Sequence, residues 1–243
     1  MQENYYLFFF LALLAEILGT VSGFGSSILF VPLASLFLDF KVVLGITAVF
    51  HLFSNLSKIY LFQTGIDKKI AIKLGVPAVI SVIIGALLTH YIPQKKAELG
   101  MNVVIFCISI YLLLGGHNKI KQRDSNLYLG GSISGFLAGL IGTGGAIRGL
   151  TLSVFHLPKD VFIATSALID LGVDSSRAII YVANGYFTKE YIVYIPFLIG
   201  ISIIGSYLGK QILKKIPEDV FHDVVLGIIL LMSAIQMAKY VVY

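Results

Sequence analysis

The sequence predicts an all-α integral membrane protein made of two internal repeats, each a broken or re-entrant glycine-hinged helical hairpin followed by three transmembrane helices. Three observations predict this class. Of 243 residues, 57% are hydrophobic and only 13% are charged, whereas roughly a quarter of a soluble domain is charged. Apolar runs of about 20 residues, enough to cross a bilayer, return from one end of the chain to the other. The second half also repeats the polar punctuation of the first at a constant offset of 119 residues.

Residues 5–38 form one apolar stretch interrupted by Gly19-Thr20-Val21-Ser22-Gly23-Phe24-Gly25-Ser26-Ser27 and by Pro32. A straight helix over this stretch would reach about 51 Å, against a hydrocarbon core of about 30 Å. It must break, and the glycines mark where. Spans follow at 42–63, 70–91 and 98–114, closed in turn by the basic loop Asp67-Lys68-Lys69, by Pro93-Gln94-Lys95-Lys96 and by Gly115-Gly116. Residues 117–126 are the polar linker. A second overlong stretch at 127–157 then breaks at Gly142-Thr143-Gly144-Gly145-Ala146-Ile147-Arg148, and spans follow at 160–182, 190–210 and 219–240. The domains are therefore a first repeat, 1–116, a linker, 117–126, and a second repeat, 127–243.

At the offset of 119, Gly23 falls on Gly142, Gly25 on Gly144, Lys58 on Arg177, Phe62 on Tyr181 and Pro77 on Pro196. After a one-residue gap Gly85 meets Gly205. Apolar matches are cheap in a membrane protein, but a glycine knot, a cation and a proline matching at one offset are not. Duplicated repeats with interrupted helices are the sequence sign of a transporter.

Lysine and arginine placement sets orientation. If each broken stretch crosses fully, the repeats are parallel and the charges divide 8 to 7, which decides nothing. If each is a re-entrant hairpin, the repeats are inverted. One side then carries Lys68, Lys69, Lys73, Lys119, Lys121, Arg123, Lys159, Lys210, Lys214 and Lys215, and the other only Lys41, Lys95, Lys96, Lys189 and Lys239. That 10 to 5 bias favours inverted repeats, with both termini outside and the linker in the cytoplasm. Tyr5, Tyr6, Tyr60, Tyr91, Tyr128, Tyr186, Tyr191 and Tyr240 read as interfacial anchors. The N-terminus has no basic region, so the first apolar run is expected to be retained. The single Cys107 excludes an internal disulfide and a thiolate cluster, and the net charge of +5 concerns orientation, not nucleic acid.

Lys58, Arg148 and Arg177 remain within apolar segments, where ionisable residues are costly and by default functional. His51, Asn55 and Lys58 stand at i, i+4 and i+7 on one helical face, and Asp170, Asp174 and Arg177 hold the same positions in the repeat mate. Asp174 and Arg177 are spaced to pair, which leaves Asp170 as the free carboxylate and, with His51, the candidate for proton coupling; Asp174 is a gating candidate. The competing explanation is a polar latch that only glues helices together, and Lys58 lies near enough to its span's end to snorkel.

Arg148 follows a broken helix, where freed N–H groups and a positive dipole end gather. That combination suits an oxyanion. The expected binding set is Gly23, Phe24, Gly25, Ser26 and Ser27 from the first knot, Gly142, Thr143, Gly144, Gly145 and Arg148 from the second, and Arg177. Glu16, His90 and His156 read as interfacial or packed residues. A triad of Ser26, His51 and Asp170 can be imagined, but no nucleophile elbow or metal motif surrounds it. No catalytic residue, metal or cofactor is expected.

The knots Gly23-Phe24-Gly25 leading to Pro32 and Gly142-Thr143-Gly144-Gly145, with Ala164-Thr165-Ser166-Ala167 through Arg177-Ala178-Ile179-Ile180-Tyr181 to Asn184-Gly185, resemble the sulfite exporter TauE/SafE family of membrane transporters, over nearly the whole chain. The resemblance implies a carrier, by expectation an exporter, of sulfite or organosulfonates such as sulfoacetate, in the bacterial inner membrane. Carboxylate uptake and an anion channel stay open beside it. The expected partners are a small anion and the lipid bilayer, with a homodimer compatible and nucleic acid not. The halves are not chemically equivalent: Thr151 stands where the first has Pro32, and Arg148 where it has Leu29.

Overall fold

The computed structural model describes residues 5–63, 65–89, 122–187 and 189–242, with isolated positions between 91 and 114. The expected span at 98–114, the loop Pro93–Lys96, His90 and much of the linker 117–126 lie outside the described residues. The elements are α1 (Tyr5–Ser22), α2 (Ser27–Ala34), α3 (Phe40–Leu61), α4 (Lys68–Leu88), α5 (Asp124–Ile141), α6 (Gly145–Ser153), α7 (Lys159–Ala183), a 3-10 turn (Lys189–Val193), α8 (Tyr194–Leu213) and α9 (Glu218–Val242). Among the described residues, four segments are long and apolar enough to cross a membrane: α1, α3, α4 and Lys189–Leu213. The chain is a multi-pass membrane protein. Its lipid-facing surface includes Ile72, Val76, Ile80, Ile83, Ile84 and Leu87 on α4 and Ile203, Ile204 and Tyr207 on α8, an apolar exposure that water would not tolerate.

Both overlong stretches break at their glycines. Gly142 ends α5 at φ +82° and Gly25 stands between α1 and α2 at φ +88°, left-handed values that residues with a Cβ seldom adopt. Each break produces a hairpin. The end of α2 returns to the start of α1, where the Phe8 ring packs 5.7 Å from Phe30 and 5.9 Å from Phe37. The end of α6 returns to the start of α5, where Gln122 Nε2 donates to the Val154 carbonyl at 3.2 Å.

Helix directions follow from the contacts. Tyr5 meets Tyr194, Glu16 faces Gly205 and Thr20 faces Gly209, so α1 and α8 run parallel. Lys73 pairs with Asp124, and Gly131, Gly135 and Gly139 lie on Leu74, Ala78 and Val82, so α4 and α5 also run parallel. Gly45 packs on the Tyr186 backbone, Asn55 bonds Asp174 and the Asp67 amide bonds Thr165, so α3 and α7 are antiparallel. Gly75 faces Ile169 and Gly172 faces Val79, which sets α4 parallel to α7 and therefore opposed to α3. The α1–α2 hairpin thus opens toward one end of the bundle and the α5–α6 hairpin toward the other. Lys73 with Asp124, Lys159 on the Ile216 carbonyl and Lys210 on the Leu61 carbonyl share one end.

Tyr5, Tyr6, Tyr60, Tyr91 and Tyr128 are exposed near helix ends, as anchors are. Tyr186 departs from that expectation. It is 3% exposed, its ring stacks on Tyr181 at 5.6 Å, and Lys41 sits over its other side. The backbone turns inward after Gly185 and carries the ring with it.

Candidate functional site: a buried charge network at two helix breaks

The two glycine knots touch. A Cβ on Gly145 would overlap the Phe24 carbonyl, and a Cβ on Gly25 would lie 3.3 Å from Asp170 Oδ2 and 3.6 Å from Arg148 Nη2. Arg148, on the first turn of α6, fills this junction. Its Nε donates to Ser166 Oγ at 2.9 Å and its Nη2 to the Phe24 carbonyl at 2.9 Å. Both terminal nitrogens also donate to the two carboxylate oxygens of Asp170. A planar guanidinium matched to a carboxylate in this way is the strongest form of the pair. Asp170 is therefore not the free carboxylate that the sequence spacing predicts. The arginine of the neighbouring hairpin reaches it, a contact that no local spacing encodes.

Arg177 behaves as its i, i+3 spacing predicts: Nη2 meets Asp174 Oδ1 at 2.7 Å. Its Nη1 donates to the Gly142 carbonyl at 2.6 Å, a cation on the negative C-terminal end of α5. Asp174 Oδ2 accepts from Asn55 Nδ2 at 2.8 Å, so two residues that align at the 119 offset bond one another. Among the described residues, Thr143 Oγ1, Thr47 Oγ1 and Arg177 Nε are buried without a hydrogen-bond partner.

Around the first knot stands a carboxylate that sequence reasoning missed. Glu16 is fully buried. Its Oε1 accepts from Ser54 at 2.7 Å and Ser206 at 2.9 Å, and its Oε2 from Ser26 at 2.8 Å. Lys58 Nζ pairs with Oε1 at 2.9 Å and donates to Ser54 at 2.7 Å. Lys58 is 3% exposed and does not snorkel, because its partner lies inward. One signal could have found Glu16. Three cations in apolar segments were set against two carboxylates, and a buried charge needs a counter-charge. Glu16 is the acidic residue within the first broken stretch.

Ser26 joins the two halves of the network. Its one hydroxyl proton goes to Glu16, so His51 Nε2, 2.9 Å away, supplies the hydrogen of the second bond. The remaining nitrogen, Nδ1, is then the acceptor facing Arg177 Nη2 at 3.4 Å. The Ser26–His51 half of the imagined triad exists, but Asp170 belongs to Arg148, and the carboxylate nearest the imidazole is Asp174 at 3.7 Å. Gly23 instead packs on Phe162. Ser27 starts α2, and Gly144 precedes α6 as its N-cap.

The cluster is nearly closed to solvent, with the Asp170 side chain 13% exposed. Arg148, Arg177, Asp174, Lys58, His51 and Glu16 are each under 5% exposed, and Asp170 is 9%. Three cations are balanced by three carboxylates at helix breaks inside an apolar bundle, where ionisable residues are costly; interrupted helices of this kind belong to membrane transporters. The family model described as sulfite exporter TauE/SafE matches residues 8–237, and the chain belongs to that family. A protein of Methanocaldococcus jannaschii named a probable membrane transporter protein is 30% identical over 147 residues, 54% of each chain. Another so named, from Bacillus subtilis, is 24% identical over 233 residues, covering 88% of this chain and 91% of its own length. The chain thus aligns with about half the length of the first relative and nearly all of the second. No solved structure matches the chain.

Proposed function

We propose that this protein carries a small sulfur-containing anion, sulfite or an organosulfonate, across the membrane by alternating access, and that the anion is held where the two hairpin tips meet. The observation that carries this reading is Arg148: it sits on the helix after the second knot, touches the backbone of the first, and is buried. The first turns of α2 and α6 converge at the same junction, and the positive dipole end of a helix favours an anion.

The two halves are read as inverted repeats. The opposite openings of the hairpins, the antiparallel course of α3 and α7, and the bond between the aligned Asn55 and Asp174 support this. Rocking one hairpin against the other would then open the junction to each side in turn. The lysine-rich end is the cytoplasmic one on the same reading.

Flux of labelled sulfite and sulfoacetate into vesicles containing the purified protein tests the proposal. Arg148→Ala is expected to slow it about 30-fold or more, the equivalent of about 2 kcal/mol or more for a truncated buried charge pair. Flux equal to wild type would remove Arg148 as the anion's partner. A thermal-shift panel on the wild-type protein needs no variant, because a ligand stabilises the state it binds. Stabilisation by carboxylates alone would favour the second reading, a carboxylate carrier, since the group now on Arg148 is itself a carboxylate. Counterflow exchange separates either carrier from a channel.

A further inference from the structure

We infer that Asp170 is a tethered counter-anion that occupies the substrate's place on Arg148, so that each anion bound must displace it and each displacement takes up one proton. This rests on the reading of Arg148 as the anion's partner. Asp170 comes from α7, crosses to the first turn of α6, and puts both carboxylate oxygens on the two terminal nitrogens of Arg148. Its Oδ2 lies against Gly25, the only knot residue of the first hairpin whose missing side chain faces both Asp170 and Arg148. The carboxylate thus stands between the two helix breaks, on the cation that also reaches the Phe24 carbonyl.

With Asp170 in place both two-donor forks of the guanidinium are taken, and of its five N–H groups one on Nη1 is left. Nε is on Ser166, Nη1 is on Asp170, and Nη2 is shared by Asp170 and the Phe24 carbonyl. An incoming oxyanion can gain the fork only as the carboxylate leaves it. Thr143 Oγ1 and Arg177 Nε, which have no hydrogen-bond partner among the described residues, are single donors and do not replace the fork.

Among the described residues of the cluster, the displaced carboxylate meets no unpaired cation. Arg177 and Asp174 on its own helix are paired with each other, Lys58 of α3 is paired with Glu16 of α1, and His51 of α3 is held between Ser26 and Arg177. An unpaired carboxylate in such an interior is neutralised by a proton. The cycle balances: the Arg148–Asp170 pair plus an anion and a proton become the Arg148–anion pair plus a neutral Asp170 carboxyl. The coupling is one proton with one anion, in the same direction, and it comes from mutual exclusion at one arginine.

The test measures sulfoacetate binding to the purified full chain between about pH 6 and pH 8, where this probe's ionisation does not change. In the wild-type protein affinity should fall by up to about tenfold per pH unit as pH rises, the limit for one linked proton. A weakly buffered sample should take up close to one proton per anion bound. In Asp170→Asn the tether is gone, the affinity should rise by at least about tenfold if the pair is closed in nine molecules of ten, and both pH dependence and proton uptake should vanish. Proton uptake by the wild type keeps the inference testable if the variant fails to fold. Anion binding without proton uptake, or Asp170→Asn binding no tighter than wild type, overturns the tether while leaving Arg148 as the partner. Failure of the wild type to bind sulfoacetate, sulfite, thiosulfate and simple carboxylates alike overturns the underlying site as well.

Discussion

The Glu16–Lys58 pair offers the sharpest test of the network, because it joins the first hairpin to α3 and stands apart from Arg148. The pair spans 2.9 Å, with side chains 0% and 4% exposed, and four hydroxyls, of Thr20, Ser26, Ser54 and Ser206, converge on the same carboxylate. Glu16→Gln keeps the volume against Gly205, where the glutamate stem packs, but removes the charge and turns an NH2 toward groups that all donate. It leaves Lys58 buried without a counter-charge. Removing one partner of a buried pair costs about 3–5 kcal/mol, which for a chain of this size lowers the melting temperature by roughly 6–20 °C. Lys58→Met should cost a similar amount by stranding the carboxylate. The double variant Glu16→Gln with Lys58→Met should recover most of the loss, because no charge is left unpaired and neighbouring effects are not additive. Fluorescence-detected melting in one detergent at one pH measures all four proteins. Glu16→Gln melting within about 2 °C of wild type, or a double variant showing the plain sum of the single losses, would refute a buried, coupled ion pair.

Gly145→Ala should abolish anion flux, since its Cβ would overlap the Phe24 carbonyl and force the two hairpin tips apart. Gly200→Ala meets nothing within 4 Å and should melt no lower than wild type, gaining up to about 1 kcal/mol from helix propensity; equal flux in both variants would argue against contact between the knots. Single cysteines at Leu36 and Ser125, in a Cys107→Ala background, should be labelled by an impermeant thiol reagent from opposite faces of the membrane, because the two hairpins open toward opposite ends. Labelling of both from one face would exclude the inverted reading.

Much of the architecture was legible locally. A 34-residue apolar run at 5–38 is too long for one straight crossing, and glycine is the residue that releases a helix, so the breaks fall between Ser22 and Ser27 and between Ile141 and Gly145. The helical period placed His51, Asn55 and Lys58 on one face and Asp170, Asp174 and Arg177 on another, and both faces are buried. The Asp174–Arg177 pair followed from spacing alone, because three residues along a helix bring side chains together.

Partnership across the bundle was a different matter. Arg148 and Asp170 are 22 residues apart, and Glu16 and Lys58 are 42 apart; neither pairing has a helical period to announce it. Charge balance in an apolar interior requires that each buried cation find a carboxylate, and that much is written in the sequence. Which carboxylate serves which cation depends on where two hairpins, entering the bundle from opposite ends, bring their tips together. The sequence by itself determined the membrane environment, the two breaks and the polar faces, since these follow from length, period and the backbone freedom of glycine. Only the tertiary structure decided that Arg148 is held by Asp170, that Glu16 belongs to the network, and that the Ser26–His51 contact joins its two halves, because those contacts exist only once separate helices have docked.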